Sequence, residues 1–390
     1  MTSGDRRADR LRLARTAASV LSTFDPARLT QARHLAGLSR AAVAETVGVP
    51  GATLGQWESG ATVPRPDQLE ELALALDVPV RFFAAGRPHA RLDAAAAHFR
   101  SLRATSTAER NKAAAYVEQV WELTCALEQR VQLPPVDLPG FAAGELARDR
   151  LPADPAAAAR ELRRHWNLES GPIPHLVRTM ENRGLIVTLT SFAGSATARV
   201  DAFSTARLPR PVVVLTPDRA NDVYRHRFTA AHELGHLLLH DNTAPADPEQ
   251  EREADVFAAE LLTPRDQIRA HLPGRLDLNA LRKVGARWGV SVDSLIYRCR
   301  DLGIVSEAAY RRGYQRLRQL RVTGLFPAEP VDGYPGEVPC LLGRAFGLAE
   351  GSGLSLRELA AELAWPLPRL RLLLGIEDSR PELRLVGNDW

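Results

Sequence analysis

The sequence predicts a mainly helical α+β protein with two or three domains. Its 390 residues exceed the roughly 100 to 200 residues of a single domain. Hydrophobic residues make up 45% and charged residues 25%, values close to the globular average, which argues against a disordered or fibrous chain. Most of the chain has the apolar spacing of helices, whereas short strand-like runs occur between residues 185 and 216. We therefore expect helical regions at both ends and one small sheet between them.

Composition also excludes several classes of protein. No apolar run reaches the roughly 18 residues of a membrane span, and the arginine-rich start is followed by no apolar signal-peptide stretch. We therefore expect a cytoplasmic protein without a membrane partner. Cys125, Cys299 and Cys340 are widely separated, which argues against a disulfide framework and against a metal site made of cysteines. Histidine and carboxylate must then hold any metal.

The excess positive charge lies in the N-terminal part of the chain. The net charge is +3, and residues 1–100 alone carry 13 Arg against 10 Asp and Glu. Residues 1–25 form a basic arm in this prediction. Such an arm suits contact with phosphate groups, but a solvated and partly frayed terminus has the same composition.

Residues 39–58 have the pattern of two helices packed across a tight turn. Ser39 can cap the first helix, Ala44 is small where the helices cross, and Gly48 can take the left-handed conformation of the turn. Five further positions supply the apolar contacts between the helices: Val43, Val47, Val49, Leu54 and Trp57. An unrelated helical hairpin shares part of this pattern, but all positions at fixed spacing favour a DNA-binding unit.

Residues 26–85 resemble the Cro/CI-type (XRE) helix-turn-helix family, including Trp-Glu-Ser-Gly at 57–60 and the Val-Pro-x-Pro loop at 63–66. The resemblance implies that double-stranded DNA is a partner and that the second helix enters the major groove. Base contacts are then expected from Ala52, Thr53 and Gln56, with backbone or flanking contacts from Ser39 and Arg40. Gly51 and Gly55 replace the longer polar side chains usual on such a helix, so we expect modest affinity for one site or reliance on dimers.

Residues 86–135 are predicted to be a helical spacer. A capping box from Ser106 to Glu109 opens an amphipathic helix that runs to about residue 130. Its apolar face consists of Ala113, Tyr116, Val120, Leu123 and Leu127. This face can be the seam of a homodimer or can pack on its own domain, and a length of about two heptads favours packing. The Pro-rich stretch 133–140 then breaks the chain.

A His-Glu-x-x-His motif follows the strand-like runs at 185–190, 198–204 and 211–216. His232 and His236 lie one helical turn apart, so both imidazoles can hold a single Zn²⁺. Glu233, one residue after the first histidine, can take a proton from an attacking water. These three residues are the candidate ligands and base of a zinc enzyme.

A third ligand is expected from the helix predicted for residues 251–262. Glu251 is the predicted ligand because Asp255, one turn later, can accept the free N–H of a ligand histidine as outer support. Glu253 is the alternative ligand, although it lies on a different face. His240 continues the four-residue series but is rotated by about 80° from His232, so we interpret it as a helix-end residue.

Residues 160–305 resemble the ImmA/IrrE metallopeptidase family. Two stretches carry the likeness: Arg-His-Arg-Phe-Thr-Ala-Ala-His-Glu-Leu-Gly-His at 225–236, and Glu-Arg-Glu-Ala-Asp-Val-Phe-Ala-Ala-Glu-Leu-Leu-Thr-Pro at 251–264. The resemblance implies a zincin-like α+β domain, placed at 136–305, that cleaves a repressor protein in stress responses or mobile-element control. It also implies ligands His232, His236 and Glu251 and the catalytic base Glu233. In some fused regulators of this kind the domain senses small molecules, often after loss of the motif, which this chain retains.

Residues 306–390 are predicted to form a helical C-terminal domain with a helix-turn-helix-like unit. Residues 354–373 repeat the first pattern at a constant offset of 316, with Ala364 in place of the turn glycine. Leu356, Pro368 and Leu372 stand where the first copy has Arg40, Ala52 and Gln56. Arg357, Arg369 and Arg371 can still meet phosphate, but we favour packing or protein contact over DNA contact. Residues 281–297 repeat the shape more loosely.

Three functions fit this organisation. The chain can be a DNA-bound regulator with a working zinc endopeptidase, whose substrate is a repressor or another copy of itself. It can instead be a transcription factor whose peptidase-like domain senses a ligand or partner without proteolysis, or a phage-type regulator whose C-terminal helices bind a partner. Glu233 favours the enzyme, because a binding-only site has no use for a base between two ligand histidines.

Overall fold

The fold is α+β and mainly helical, as the sequence predicted. The computed structural model describes residues 17–92, 107–142, 145–147, 150–168, 170–189, 202–216, 223–240, 247–326 and 335–376. The predicted basic arm to residue 16, Ser106 of the predicted capping box, and residues 198–201 of the second predicted strand lie outside these ranges. Among the described helices, none is long and apolar enough to cross a membrane.

The N-terminal helices confirm the predicted pair and its turn. They are α1 (Pro26–Ala36), α2 (Arg40–Val47), α3 (Gly51–Ser59) and α4 (Pro66–Ala75), followed by a 3₁₀ turn at Val80–Phe83. The hydroxyl of Ser39 accepts the N–H of Ala42 at 3.1 Å and so caps α2. Gly48 has a φ of 68°, the left-handed conformation that lets the chain reverse into α3.

Helix α5 (Thr107–Glu128) lies in the core of the molecule, not in a spacer. It packs against α1 on one side and against the C-terminal helices on another. The five residues predicted for its apolar face are all buried within the chain. The dimer-seam interpretation of this face is therefore wrong, because no part of it is left for a second copy.

A three-stranded sheet stands between the two hydrophobic cores. After a small hairpin of β1 (Phe141–Ala142) and β2 (Glu145–Leu146), the sheet consists of β3 (Ile186–Leu189), β4 (Ala202–Thr205) and β5 (Val212–Leu215). Strand β5 is central, parallel to β3 and antiparallel to β4. Alternate residues face opposite cores: Val212 and Val214 face the first core, with α5, while Val213 and Leu215 face the second.

The second core is built from the helices that follow the hairpin and the sheet. They are α6 (Pro155–His165), α7 (Leu176–Asn182), α8 (Val223–Leu239), α9 (Pro248–Leu262), the short α10 (Arg265–Ile268), α11 (Leu278–Trp288), α12 (Val292–Asp301) and α13 (Glu307–Val322). Helix α8 packs against α9 and β4. Arg227 of α8 is fully buried and donates to the carbonyls of Ile173 and Gly289 at 2.7 and 2.9 Å, which locks this helix in place.

The C-terminal helices belong to the first core, unlike α13. They are α14 (Leu341–Gly351), α15 (Leu356–Leu363) and α16 (Leu367–Leu374), and Ala364 takes the left-handed turn conformation with a φ of 53°. Leu317 of α13 lies in the second core with α12. The region predicted as one C-terminal domain is thus divided between the two cores.

Arg369 of α16 does not remain available for phosphate. Its Nε donates to Oε1 of Gln119 at 2.7 Å, and its guanidinium lies 5.2 Å from the ring centroid of Tyr116. Burial lowers the pKa of this arginine below its ordinary value. The helix that repeats the recognition helix therefore begins against α5, which favours the packing interpretation of this unit.

Candidate metal centre and DNA-binding surface

Helices α8 and α9 bring two imidazoles and one carboxylate together. The Nε2 atoms of His232 and His236 lie 2.9 Å apart, and the Glu251 carboxylate oxygens lie 3.6 and 3.9 Å from them. One ligand atom from each residue falls within 4.8 Å of the others. Because Glu251 is in the first turn of α9 and its side chain is 45% exposed, the cluster is open to solvent on that side. The arrangement suits a single metal ion.

His232 is oriented by Asp255, which stands one turn after Glu251 on α9. Nδ1 of His232 lies 2.8 Å from Oδ1 of Asp255. A carboxylate can only accept, so the imidazole proton is on Nδ1 and the Nε2 lone pair faces the cluster. The structure thus places Asp255 where the spacing of the two helices predicted it.

Glu233 directly follows His232 on α8, and its buried side chain is held by the sheet. Its side chain points from α8 towards β4, where the hydroxyl of Ser204 donates to Oε2 at 2.8 Å. Ser204 is itself fully buried. Sequence reasoning missed this residue. The available signal was a serine that directly follows the apolar Ala202 and Phe203 in a predicted strand.

His240 lies at the end of α8 and Glu253 on a different face of α9 from Glu251, as expected, but the two residues also contact each other. His240 directly follows α8 and is 4% exposed, with Nδ1 only 2.7 Å from Nδ1 of His236. Its Nε2 lies 2.9 Å from Oε2 of Glu253. His240 is thus more than a helix-end residue, and Glu253 contacts His240 while Glu251 faces the cluster.

The helix-turn-helix surface presents part of the predicted DNA-contact set. Ser39, Arg40, Ala52 and Gln56 are exposed, whereas Thr53 is half-buried. The Nε of Arg40 donates to Oε2 of Glu58 at 2.6 Å, and Arg33 donates to the same carboxylate. Burial would raise the pKa of Glu58, but the hydrogen bonds from Arg33 and Arg40 hold it below its ordinary value. The charge of Arg40 is therefore partly matched inside the protein.

Two regions of the chain match known protein families. Residues 180–300 match the IrrE N-terminal-like domain, a peptidase family, and residues 26–81 match a helix-turn-helix domain family. The chain is a helix-turn-helix protein fused to an IrrE-like domain. No curated protein matches it. The IrrE-like match contains the sheet, α8 and α9, and the helix-turn-helix match contains α1 to α4.

Helix α5 joins the helix-turn-helix domain to the IrrE-like domain. On one side, buried Glu122 accepts from Nη1 of Arg28 in α1 at 2.9 Å. On another side, the hydroxyl of Tyr116 donates to the carbonyl of Leu189 in β3 at 2.9 Å. The two matched regions are thus connected through a buried helix with polar contacts at both interfaces.

Proposed function

We propose that the protein is a DNA-binding transcriptional regulator whose IrrE-like domain is a zinc-dependent endopeptidase. The observation that carries the proposal is the convergence of His232, His236 and Glu251, with the buried Glu233 directly after the first of these residues on α8. The matches to a peptidase family and to a helix-turn-helix family support its two coarser parts.

The donor set fits Zn²⁺. Catalytic zinc sites use three protein ligands of the nitrogen and oxygen type and keep one position open. Two imidazole nitrogens and one carboxylate supply such a set, with the exposed side of Glu251 leaving access. The outward-facing Nδ1 atoms of both histidines are hydrogen-bonded, so their Nε2 lone pairs are available to a metal.

Proteolysis needs a base beside the scissile bond. Zinc supplies Lewis acidity for polarising a carbonyl and activating water. Glu233 accepts the proton of the attacking water on its carboxylate and can return it to the departing amine. Ser204 keeps that carboxylate oriented through its hydrogen bond to Oε2. The base thus works from a buried, oriented position between two ligand residues.

The proposed substrate is a repressor, either a separate protein or another copy of this chain. The motivation is proximity, because a DNA-binding head brings the peptidase to the places where repressors are bound. No motif in the sequence identifies the residues that would recognise the peptide substrate. The competing hypothesis is that the domain senses a ligand without cleaving a protein.

Cleavage is tested with the full-length protein loaded with zinc. We expect new peptide termini, found by mass spectrometry, when it is incubated with its Glu233→Gln form and with candidate repressors. Glu233→Gln should keep zinc and lose cleavage, while Glu249→Gln, an exposed change on α9, should retain both. The absence of any metal-dependent fragment, together with DNA binding that responds to a small ligand, would replace the peptidase by a sensor.

DNA binding is proposed to use the exposed face of α2 and α3. Thr53 and Gln56 read bases, Ala52 contacts the groove, and Ser39 and Arg40 contact the backbone. Anisotropy titrations with promoter and random duplexes test this division. Gln56→Ala should reduce the preference for the promoter by about 1 to 3 kcal/mol and leave random binding unchanged. Equal losses on both duplexes would contradict base reading by this residue.

A further inference from the structure

We propose that His240 and Glu253 form a hydrogen-bonded relay that fixes the ring orientation and the tautomer of His236 as a metal ligand. The inference rests on the proposed zinc site. It assigns both residues a positioning role, which goes beyond the interpretation of His240 as a helix-end residue and of Glu253 as the alternative ligand.

The relay is built at the end of α8. The backbone N–H of His240 donates to the carbonyl of His236 at 3.2 Å, so His240 extends the last helical turn. This places its ring beside that of His236, with the ring centroids 4.9 Å apart. Both imidazoles are buried, whereas the Glu253 side chain is 39% exposed. The relay therefore runs from the buried cluster towards the surface.

The hydrogen bonds allow one arrangement of protons for neutral imidazoles. Glu253 can only accept, so Nε2 of His240, at 2.9 Å, carries a proton. A neutral His240 then has a lone pair on Nδ1, which accepts the Nδ1 proton of His236 at 2.7 Å. Nε2 of His236 is consequently left with its lone pair directed at the cluster, as a ligand requires.

The two candidate ligand histidines are supported in different ways. His232 reaches Asp255 directly, but His236 reaches a carboxylate only through the ring of His240. His236 is the more deeply buried of the two, with a side chain 2% exposed against 16% for His232. The additional imidazole spans the distance from this buried ring to Glu253.

Metal affinity is the main readout. We expect His240→Ala and Glu253→Ala each to weaken Zn²⁺ binding by about 10- to 100-fold. Because Glu253 acts through His240, the double variant should bind no more weakly than His240→Ala alone. Glu253→Gln, which keeps an oxygen acceptor, should lie closer to wild type than Glu253→Ala.

The experiment uses the full-length protein in competition with a chromophoric chelator, and the visible spectrum of the Co²⁺ form as a second readout. Glu249→Ala on the same helix is the matched control and should behave as wild type. Far-ultraviolet circular dichroism of the metal-free proteins checks folding. If His240→Ala does not fold, the Glu253→Ala variant is used for the test, because the Glu253 side chain is partly exposed.

Two results would overturn the relay. One is wild-type affinity and an unchanged Co²⁺ spectrum in folded His240→Ala or Glu253→Ala. The other is an additive loss in the double variant, which would show that Glu253 affects metal binding independently of His240. Wild-type protein that binds no Zn²⁺ would instead overturn the proposed zinc site and the relay with it.

A different observation carries a second inference, which rests on the proposed DNA binding. We infer that the contact with the DNA backbone extends beyond the helix-turn-helix to Arg91 and to Lys112 in the second turn of α5. A groove of about 500 Å³ beside the N-terminus of α2 is lined by Ser39, Arg40, Arg91 and, from α5, Asn111. Lys112 adjoins the α1–α2 turn, since its Cδ would lie 3.8 Å from a Cβ placed on Gly37.

Charge pairing distinguishes the cations around this groove. Arg33 and Arg40 both donate to Glu58. Arg91 and Lys112, by contrast, make no ion pair within the residues that the structure describes. In helix-turn-helix complexes the helix before the recognition helix crosses the phosphate backbone. The two unmatched charges lie close to the N-terminus of that helix, α2, where they can contact duplex phosphates without reading bases.

The salt dependence of DNA affinity tests this surface. Full-length wild type, Arg91→Gln and Lys112→Gln are titrated with promoter and random duplexes by anisotropy at several salt concentrations. Each variant should reduce the slope of log affinity against log salt by about 0.9 and weaken both duplexes equally. Lys283→Gln, an exposed change on α11, is the control and should keep the wild-type slope.

An unchanged slope in both Arg91→Gln and Lys112→Gln would overturn the extended surface. The same slope change in Lys283→Gln would also overturn it, because the effect would then be one of net charge. Wild-type protein that binds neither duplex would overturn the proposed DNA binding itself.

Discussion

Ser204 ties the carboxylate of Glu233 to strand β4 through a hydrogen bond of 2.8 Å. A hydrogen bond to a charged group contributes about 1.5 to 3 kcal/mol. Removal of the hydroxyl in Ser204→Ala should therefore lower the kcat of zinc-dependent cleavage by roughly 10- to 100-fold. Zinc affinity should stay unchanged, because Ser204 contacts none of the proposed ligands.

Steady-state kinetics and metal content of the same Ser204→Ala sample separate these effects. Thr205→Val, a change at the next buried position of β4, serves as the control for disturbance of the strand. A parallel loss of zinc and activity in Ser204→Ala would show that the serine supports the ligands and not the base.

His34 is a half-buried histidine of the helix-turn-helix domain with a lowered pKa. Burial lowers its pKa from 6.5 to about 4. The charges of Arg33 and Arg40 add to the decrease, whereas Glu58 and Glu118 oppose it. Between these two values the unfolded chain binds a proton that the folded domain does not. The contribution of His34 to the free energy of unfolding is therefore at its maximum above pH 6.5 and decreases as the pH falls towards 4.

We expect the urea midpoint of the helix-turn-helix domain to decrease from pH 7 to pH 5. His34→Gln should flatten this dependence because it removes the titrating group while keeping an acceptor for Arg33. Near-ultraviolet circular dichroism together with the DNA-bound fraction measures the midpoint in the full-length protein. The exposed His271→Gln should keep the wild-type slope, and an equally steep slope in His34→Gln would assign the effect to another group.

At the scale of elements, the approach of α8 to α9 depends on Gly235. A Cβ at this position would lie 3.0 to 3.3 Å from three atoms of Phe257, including its Cβ. Gly235→Ala should push the two helices apart and cost about 1 to 3 kcal/mol, although alanine is the better helix former. Because the proposed ligands lie on both helices, zinc affinity should decrease as well.

Thermal unfolding and zinc competition measure the two effects of Gly235→Ala. Gly347→Ala in α14, where a Cβ would meet nothing within 4 Å, is the matched control and should be neutral or stabilising. Phe257→Leu should partly restore zinc affinity to Gly235→Ala, since it removes the ring that the new methyl group meets. A stabilised Gly235→Ala protein with full zinc affinity would contradict the close approach.

At the scale of the whole molecule, α5 connects regions that are far apart in the chain. Arg28 and Glu122, 94 residues apart, form an ion pair whose side chains are each 1% exposed. Glu122→Ala should leave Arg28 buried without this partner and destabilise the protein by about 3 to 5 kcal/mol. Glu307→Ala removes an exposed pair with Arg311 and should cost less than about 1 kcal/mol.

Urea unfolding compares these two variants. The joint change Arg28→Met and Glu122→Leu should cost less than Glu122→Ala alone, because it removes both charges of this pair. Equal stability of Glu122→Ala and Glu307→Ala would show that α5 is not held to α1 by this pair.

Local patterns in the sequence determined the elements and the spacing of the chemical groups. The Ser39 cap, the Gly48 turn and the i, i+4 placement of His232 and His236 depend on residues within one or two helical turns, where backbone geometry alone sets the distances. The helix-turn-helix, the three strands and the shared helix face of both histidines could therefore be predicted.

Only the tertiary structure decided the contacts between distant residues. Ser204 reaches Glu233 across 29 residues, Glu253 reaches His240 across 13, and Arg369 reaches Gln119 across 250. Each contact depends on the angle and distance at which two elements pack, and side chains from the whole core set these. The burial of α5 and the division of the C-terminal region between two cores could not be predicted for the same reason. An apolar face shows that a helix packs, but not which element it packs against.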